Sequence, residues 1–159
     1  MSAAALRTYV PGDRSAFRAL LGDVEVMRYA GEGVAIEPDA ADELFDKILR
    51  LPESDPAFYV WALVESGEYA GHAELKRRAG RSEYELVYFL QRTRWGRGLG
   101  GRVVDLLLDE ARRLALPIVI ATVDARNTAS LRILAKRGFV NDLPLSRELG
   151  ADAYRLKLT

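Results

Sequence analysis

The run Arg94-Trp95-Gly96-Arg97-Gly98-Leu99-Gly100-Gly101 holds the densest chemistry in the chain. It follows the apolar, aromatic stretch from Tyr84 to Leu90 and leads into Val103-Val104-Asp105-Leu106-Leu107-Leu108. A strand, a glycine-rich turn and a helix are therefore predicted in that order. The first turn of a helix carries unpaired backbone N–H groups and a partial positive charge, which suits an anion. Glycines remove the Cβ atoms that would keep a phosphate at a distance. Arg94 and Arg97 add full positive charge beside the same turn. Together these residues could hold a pyrophosphate.

Two nucleotide-binding patterns compete for such a turn. A P-loop ends in Gly-Lys-Ser/Thr, and this chain has Gly100-Gly101-Arg102. The dinucleotide fingerprint G-x-G-x-x-G matches Gly96, Gly98 and Gly101, with Asp124 downstream. In that fold the turn follows its strand at once, whereas Gln91 to Trp95 intervene here. Too little chain follows Asp124 for further strand–helix units.

Composition narrows the classes. The chain has 159 residues, 49% hydrophobic and 29% charged, the profile of one ordinary globular domain spanning residues 1–159. Lys plus Arg (23) equals Asp plus Glu (23), so no net charge draws the chain to nucleic acid or a membrane. Zero cysteines exclude a disulfide framework and a thiol nucleophile, and a single histidine argues against a histidine-rich metal centre. Met1 to Ala5 lack the regions of a signal peptide, and no apolar run reaches the ~20 residues of a membrane span. A cytoplasmic, metal-independent protein is expected, as a monomer or homodimer.

The elements that must position the turn can be read in order. Leu6 to Val10 alternates as a first strand and stops at Pro11-Gly12, with Asp13 placed to cap a helix carrying Phe17, Leu20 and Leu21. Asp23 to Tyr29 reads as helix–loop, ending in Gly31-Glu32-Gly33. Pro38 to Leu51 is an amphipathic helix with Ala41, Leu44, Phe45, Ile48 and Leu51 on one side. Ala57 to Val64 and Tyr69 to Leu75 flank Glu65-Ser66-Gly67-Glu68 as a hairpin, and Tyr84 begins the next strand of a meander. After the turn, a helix from Leu99 to Leu114 buries Val103, Leu107, Ala111 and Leu114. Ile118 to Val123 is an unbroken apolar run, the mark of a strand covered on both faces. A strand, a crossover helix and a second strand imply one parallel pair in an otherwise antiparallel sheet. Asn127 caps a last helix that stops at Gly138, and Ala153 to Leu158 closes the sheet.

Read as Q/R-x-x-G-x-G/A with Trp95 in the first position, the turn resembles motif A of the GNAT superfamily of N-acetyltransferases. The run Asn127, Ser130, Ile133, Lys136, Gly138, Phe139 resembles motif B, N-x-x-A/S-x-x-L-Y-x-K-x-G-F, with Leu134 where many members have tyrosine. Trp95-Gly96-Arg97-Gly98, the segment Val26-Met27-Arg28-Tyr29 and Ser130 are most similar to the branch that acetylates ribosomal-protein N-termini. The resemblance implies an α+β fold in α/β/α layers: a twisted, mostly antiparallel sheet of about six to seven strands, a parallel pair splayed at the cofactor cleft, and about four helices. It implies acetyl-CoA as acetyl donor, bound by the backbone of Phe89 and Leu90, by the loop Arg94, Trp95, Gly96, Arg97, Gly98, Leu99, Gly100 and Gly101, and by Asn127. The acceptor is then a primary amine, either a protein N-terminus or a small molecule. A non-catalytic acyl-CoA sensor of the same fold is the alternative.

Acetyl transfer needs a neutral amine and a departing thiolate. Deprotonating a lysine-type amine (pKa ~10.4) at pH 7 costs about 4.6 kcal/mol, and an α-amine (pKa ~7.7–8.0) only about 1 kcal/mol. A carboxylate in the cleft is the expected base. Glu85 matches the glutamate of the ribosomal branch's fourth strand, with Glu74 and His72 of the preceding strand as substitutes. Ser130, or failing it Tyr88 or water, is expected to protonate the leaving sulfur.

Overall fold

A computed structural model describes residues 3–51 and 57–158. β1 (Ala4–Arg7), β2 (Phe58–Glu65), β3 (Glu68–Arg77) and β4 (Tyr84–Leu90) are successive antiparallel neighbours. β5 (Ile118–Thr122) lies parallel to β4, and β7 (Ala153–Lys157) enters antiparallel between β5 and the short β6 (Val140–Asn141). The sheet therefore has seven strands, ordered β1-β2-β3-β4-β5-β7-β6. Among the described residues the helices are α1 (Arg14–Leu21), α2 (Pro38–Arg50), α3 (Leu99–Arg113), α4 (Thr128–Lys136) and α5 (Leu143–Leu149). This mixed sheet with its single parallel pair is the expected α+β fold, with one helix more than predicted.

Strand alternation sorts β4 between two cores. Tyr84 and Leu86 join Val103, Val104 and Leu107 of α3 and Leu134 of α4 on one face. Phe89 packs on the other, against Phe17 and Leu21 of α1, Met27, and Ala41 and Phe45 of α2. Phe45 is fully buried, so truncating it to alanine costs about 3–5 kcal/mol by the usual cavity penalty. The β2–β3 turn puts Ser66 and Gly67 at φ 52° and 83°, the left-handed pair whose twist matches its strands. Gly71 stands opposite Leu90, where a Cβ would lie 2.2 Å from the Phe89 carbonyl oxygen. Glycine alone lets β3 approach β4 there.

The parallel contact is short. Only Tyr84↔Val119 and Glu85↔Ile120 pair, after which β4 runs on to Leu90 and β5 to Thr122 without each other. The two strands splay, and the gap opens toward the N-terminus of α3.

Four local expectations change. β1 ends at Arg7 rather than Val10, because Tyr9 leaves the sheet edge to reach His72. Asp13 does not cap α1 with its side chain; its carboxylate accepts from the Val10 amide (3.0 Å) and from Arg7 (2.7 and 2.9 Å). Asp23 to Tyr29 forms turns, not a helix, and Leu44 of α2 is exposed while Ala41 and Phe45 are buried. The added helix, α5, is capped by Asp142, which accepts from the Leu145 amide at 3.0 Å, and stopped by Gly150 at φ 67°.

Candidate active site

The glycine-rich turn forms the floor of a cleft of about 860 Å³ between the splayed strands. After Leu90, Arg92 to Arg94 make a 3-10 turn, and Gly96 and Gly98 follow at φ 75° and 81°. These left-handed values would strain any residue with a Cβ by about 1–2 kcal/mol. Gly98 is the N-cap of α3, and the first intrahelical bond runs from the Arg102 amide to its carbonyl at 3.2 Å. The amides of Leu99, Gly100 and Gly101 thus precede the ladder and have no intrahelical partner. α3 is held in place from α4: Arg137 donates to the Gly101 carbonyl at 2.9 Å and to Asp105 at 2.7 Å.

Arg94 and Arg97 flank the turn, but they are not free charges. Both donate to the same buried Glu65 oxygen, at 2.7 and 3.0 Å, and Arg94 also donates to Glu68 at 3.1 Å. Hydrogen bonding to Glu65, then to Glu68, raises the pKa of the Arg94 guanidinium despite its partial burial. Arg94 thereby anchors the turn to the β2–β3 hairpin, while Arg97 stays half exposed. Trp95 lies largely on the surface and donates its indole N–H to the Leu90 carbonyl at 3.0 Å, fixing where the chain leaves β4.

Within the gap, the sequence-predicted residues converge. Phe89 and Leu90 end β4, and beyond Glu85 this edge has no strand partner toward β5. Asn127 caps α4, accepting from the Ser130 amide at 3.2 Å, and also lines the cleft. Ser130 Oγ lies 2.9 Å from the Tyr88 hydroxyl. Burial raises the Tyr88 pKa against the opposing pull of Ser130, so Tyr88 keeps its proton.

Glu85 is buried at the last parallel rung, where Arg78 Nε donates to one carboxylate oxygen at 2.7 Å and the Thr122 hydroxyl to the other at 2.6 Å. At the far rim, Tyr29 receives two cations on its ring: Arg28 at 5.5 Å and Arg126 at 5.6 Å from the centroid. Asp124 holds Arg126 at 2.7 Å, and those hydrogen bonds lower the Asp124 pKa to about 2. The loop between α1 and α2 is thus tied to the loop between β5 and α4.

A family model described as an acetyltransferase (GNAT) domain matches residues 4–140. The chain belongs to the GNAT family. Its fold is also that of solved members at low identity. Vibrio cholerae spermidine N-acetyltransferase in complex with CoA and spermine is 19% identical with a TM-score of 0.76, over 96% of this chain and 92% of that one. Mycobacterium smegmatis RimJ in complex with CoA-disulfide is 16% identical with a TM-score of 0.79, over 98% and 82%. RimL, a ribosomal L7/L12 alpha-N-protein acetyltransferase in complex with CoA, is 13% identical with a TM-score of 0.76, over 97% and 93%.

GNAT acetyltransferases use acetyl-CoA, and this chain's residues fit such a group: three amides at a helix N-terminus that have no intrahelical partner, left-handed glycines beneath them, and a strand edge that pairs with no strand among the described residues. No helix among the described residues is long and apolar enough to cross a membrane. Arg28 and Tyr29 lie in the segment that resembles the ribosomal branch, whereas sequence reasoning missed Thr122 and Arg126 as site residues. These two reach their partners only through the fold, and no local motif marks them.

Proposed function

We propose that residues 1–159 form one acetyltransferase domain that moves an acetyl group from acetyl-CoA to a primary amine. The reading rests on one observation: the β4–β5 gap opens directly onto the amides that begin α3. Leu99, Gly100 and Gly101 would hold the pyrophosphate, and the β4 edge at Phe89 and Leu90 the pantetheine. Bound there, acetyl-CoA supplies an acetyl group activated as a thioester. Ser130 and Tyr88 present hydroxyl protons 2.9 Å apart on the α4 side of the gap, where the departing sulfur needs one. A carboxylate on the opposite sheet face, Glu85 or Glu74, receives the amine's proton. Asn127 serves both as helix cap and as a contact to pantetheine.

An α-amine is the favoured acceptor, since its deprotonation costs only about 1 kcal/mol at pH 7. Chain-initiating amines of proteins and small molecules fit that requirement. The test is release of coenzyme A with a panel of an Ala-initiated peptide, a Ser-initiated peptide, benzylamine and spermidine. Turnover highest on the peptides is expected; tight acetyl-CoA binding with no turnover on any of them would make the protein a sensor. Stabilisation against heat by NAD but not by acetyl-CoA would refute the cleft assignment.

A further inference from the structure

The chain's one histidine is the centre of a buried side-chain network beside the cleft. His72 of β3 is 2% exposed, enclosed by Phe17, Phe89 and Tyr9. Its Nε2 lies 2.7 Å from Glu74 Oε1, and its Nδ1 lies 2.7 Å from the Tyr9 hydroxyl. Tyr9 in turn lies 3.0 Å from the Tyr69 hydroxyl.

With the imidazole neutral, donor bookkeeping orders this chain in one direction. A carboxylate can only accept, so Nε2 carries the hydrogen facing Glu74. A neutral imidazole then has Nδ1 as acceptor, and the Tyr9 hydroxyl donates to it. Having given its proton, Tyr9 accepts from Tyr69. Burial raises the Tyr9 pKa strongly, so this hydroxyl remains a donor. Three donors in series thus aim at one Glu74 oxygen. The second oxygen makes no hydrogen bond among the described residues.

Glu74 stands opposite Val87 of β4, on the face that also carries Phe89. Its side chain is 16% exposed and opens on a groove of about 400 Å³ walled by Leu21, Met27, Val34 and Phe89. Ala30, Gly31, Val87 and Phe89 border both this groove and the main cleft, so the two meet along β4. Glu85, in contrast, has both oxygens engaged, by Arg78 and by Thr122. Accepting a proton there means giving up a charge-assisted bond.

We propose that Glu74 is the catalytic base, its free oxygen turned to the acceptor amine by the Tyr69–Tyr9–His72 chain. The proposal rests on the acetyltransferase reading above and names the residue that serves it. In the step, one N–H bond of the ammonium breaks and an O–H bond forms at Glu74 Oε2. The amine keeps the electron pair and attacks the thioester carbon, so a C–N bond forms as C–S breaks. The thiolate takes a proton from the Ser130–Tyr88 pair, which recovers the second N–H proton, and Glu74 passes its own to water. His72 and Tyr9 are positioning residues. Glu85 holds β4 to β5 through Thr122. Besides His72, the charged groups facing Glu74 are Lys76 of β3 and Glu32 of the α1–α2 loop; behind His72 stand Tyr9, Tyr69 and the Arg7–Asp13 pair.

The experiment measures acetyl-CoA binding by calorimetry and turnover on the best acceptor of the panel for Glu74→Gln, Glu85→Gln, His72→Gln and His72→Leu. Glu74→Gln keeps an oxygen for the His72 N–H but cannot take the proton. Unchanged acetyl-CoA affinity is expected, with kcat/KM at pH 7 down about five- to tenfold on an α-amine of pKa ~7.7–8.0 and the deficit closing as pH approaches that pKa. His72→Gln retains an N–H donor and should outperform His72→Leu in kcat at equal donor KM. Full activity of Glu74→Gln beside a large loss in Glu85→Gln overturns the proposal, as does a Glu74→Gln deficit that is flat with pH. A parent chain that fails to bind acetyl-CoA overturns the cleft reading instead, a distinct result. A readout without turnover is also available: the single histidine gives one set of ring ¹⁵N signals. The Nε2–H tautomer is expected, and an Nδ1–H tautomer contradicts the ordered chain.

Discussion

The two ends of the cleft are built by different means. The end proposed for the donor is built of backbone: amides of Leu99, Gly100 and Gly101, left-handed turns at Gly96 and Gly98, and a bare strand edge. The nearby arginines are spent on Glu65 and Glu68, so they shape the loop more than they charge it. At the end proposed for the acceptor, the structure is a property of side chains drawn from separated elements: Tyr29, Glu74, Thr122 and Arg126, with Tyr9 and His72 buried behind Glu74. A rigid backbone cradle suits a ligand that every family member shares. A side-chain wall can differ from one acceptor to the next without touching that cradle.

The contrast can be broken by substitution, and the donor end should break hardest. Gly98→Glu places a Cβ at a left-handed φ and a negative charge against the phosphates. Like-charge contact costs several kcal/mol, so acetyl-CoA affinity by calorimetry should fall about a hundredfold or more. An unchanged affinity would remove the cradle from the donor site. Next in size, Ser130→Ala or Tyr88→Phe removes one hydroxyl of the pair. Each should lower kcat by up to about tenfold, the worth of one hydrogen bond, with the double variant no worse than the poorer single one. Independent, additive losses would show that the two hydroxyls do not act together.

Smaller effects sharpen the acceptor end. Tyr29→Ala releases Arg28 and Arg126, each held by a cation–π contact worth about 0.5–1 kcal/mol at an exposed site. The KM for the acceptor should rise by a few fold while that for acetyl-CoA stays the same; an equal rise in both would place Tyr29 in the donor cleft. The smallest signal is the Asp124 carboxyl, whose pKa Arg126 holds at about 2. A depressed folded-state value stabilises the native loop above the ordinary aspartate range, and that contribution fades as pH falls toward 2. Following the carboxyl by NMR, Arg126→Gln should move its midpoint up toward the usual ~3.9. A midpoint that stays low would assign the shift to the backbone amide instead.

The same contrast separates what could be read in the chain from what could not. β4, α3, β5 and α4 were legible because each is long, periodic and bounded by its own stop signals, such as Gly98, Pro117, Asn127 and Gly138. α5 escaped although Asp142, Pro144 and Gly150 mark its ends, because seven residues give too little periodicity to register. Asp23 to Tyr29 reads as helix–loop in the sequence, but the structure gives it turns that seat Met27 against α1 and α2.

Sequence alone determined the fold class and the glycine-rich turn, because both depend on contacts between residues near one another in the chain: hydrophobic period, caps, and glycines where φ must be positive. Only the tertiary structure decided how the charges are paired and which side chains line the cleft. Arg94 meets Glu65, Glu85 meets Thr122 and Tyr9 meets His72 across 29, 37 and 63 positions. Pairings at such separation follow from strand register and helix packing, and no local pattern of residues encodes them.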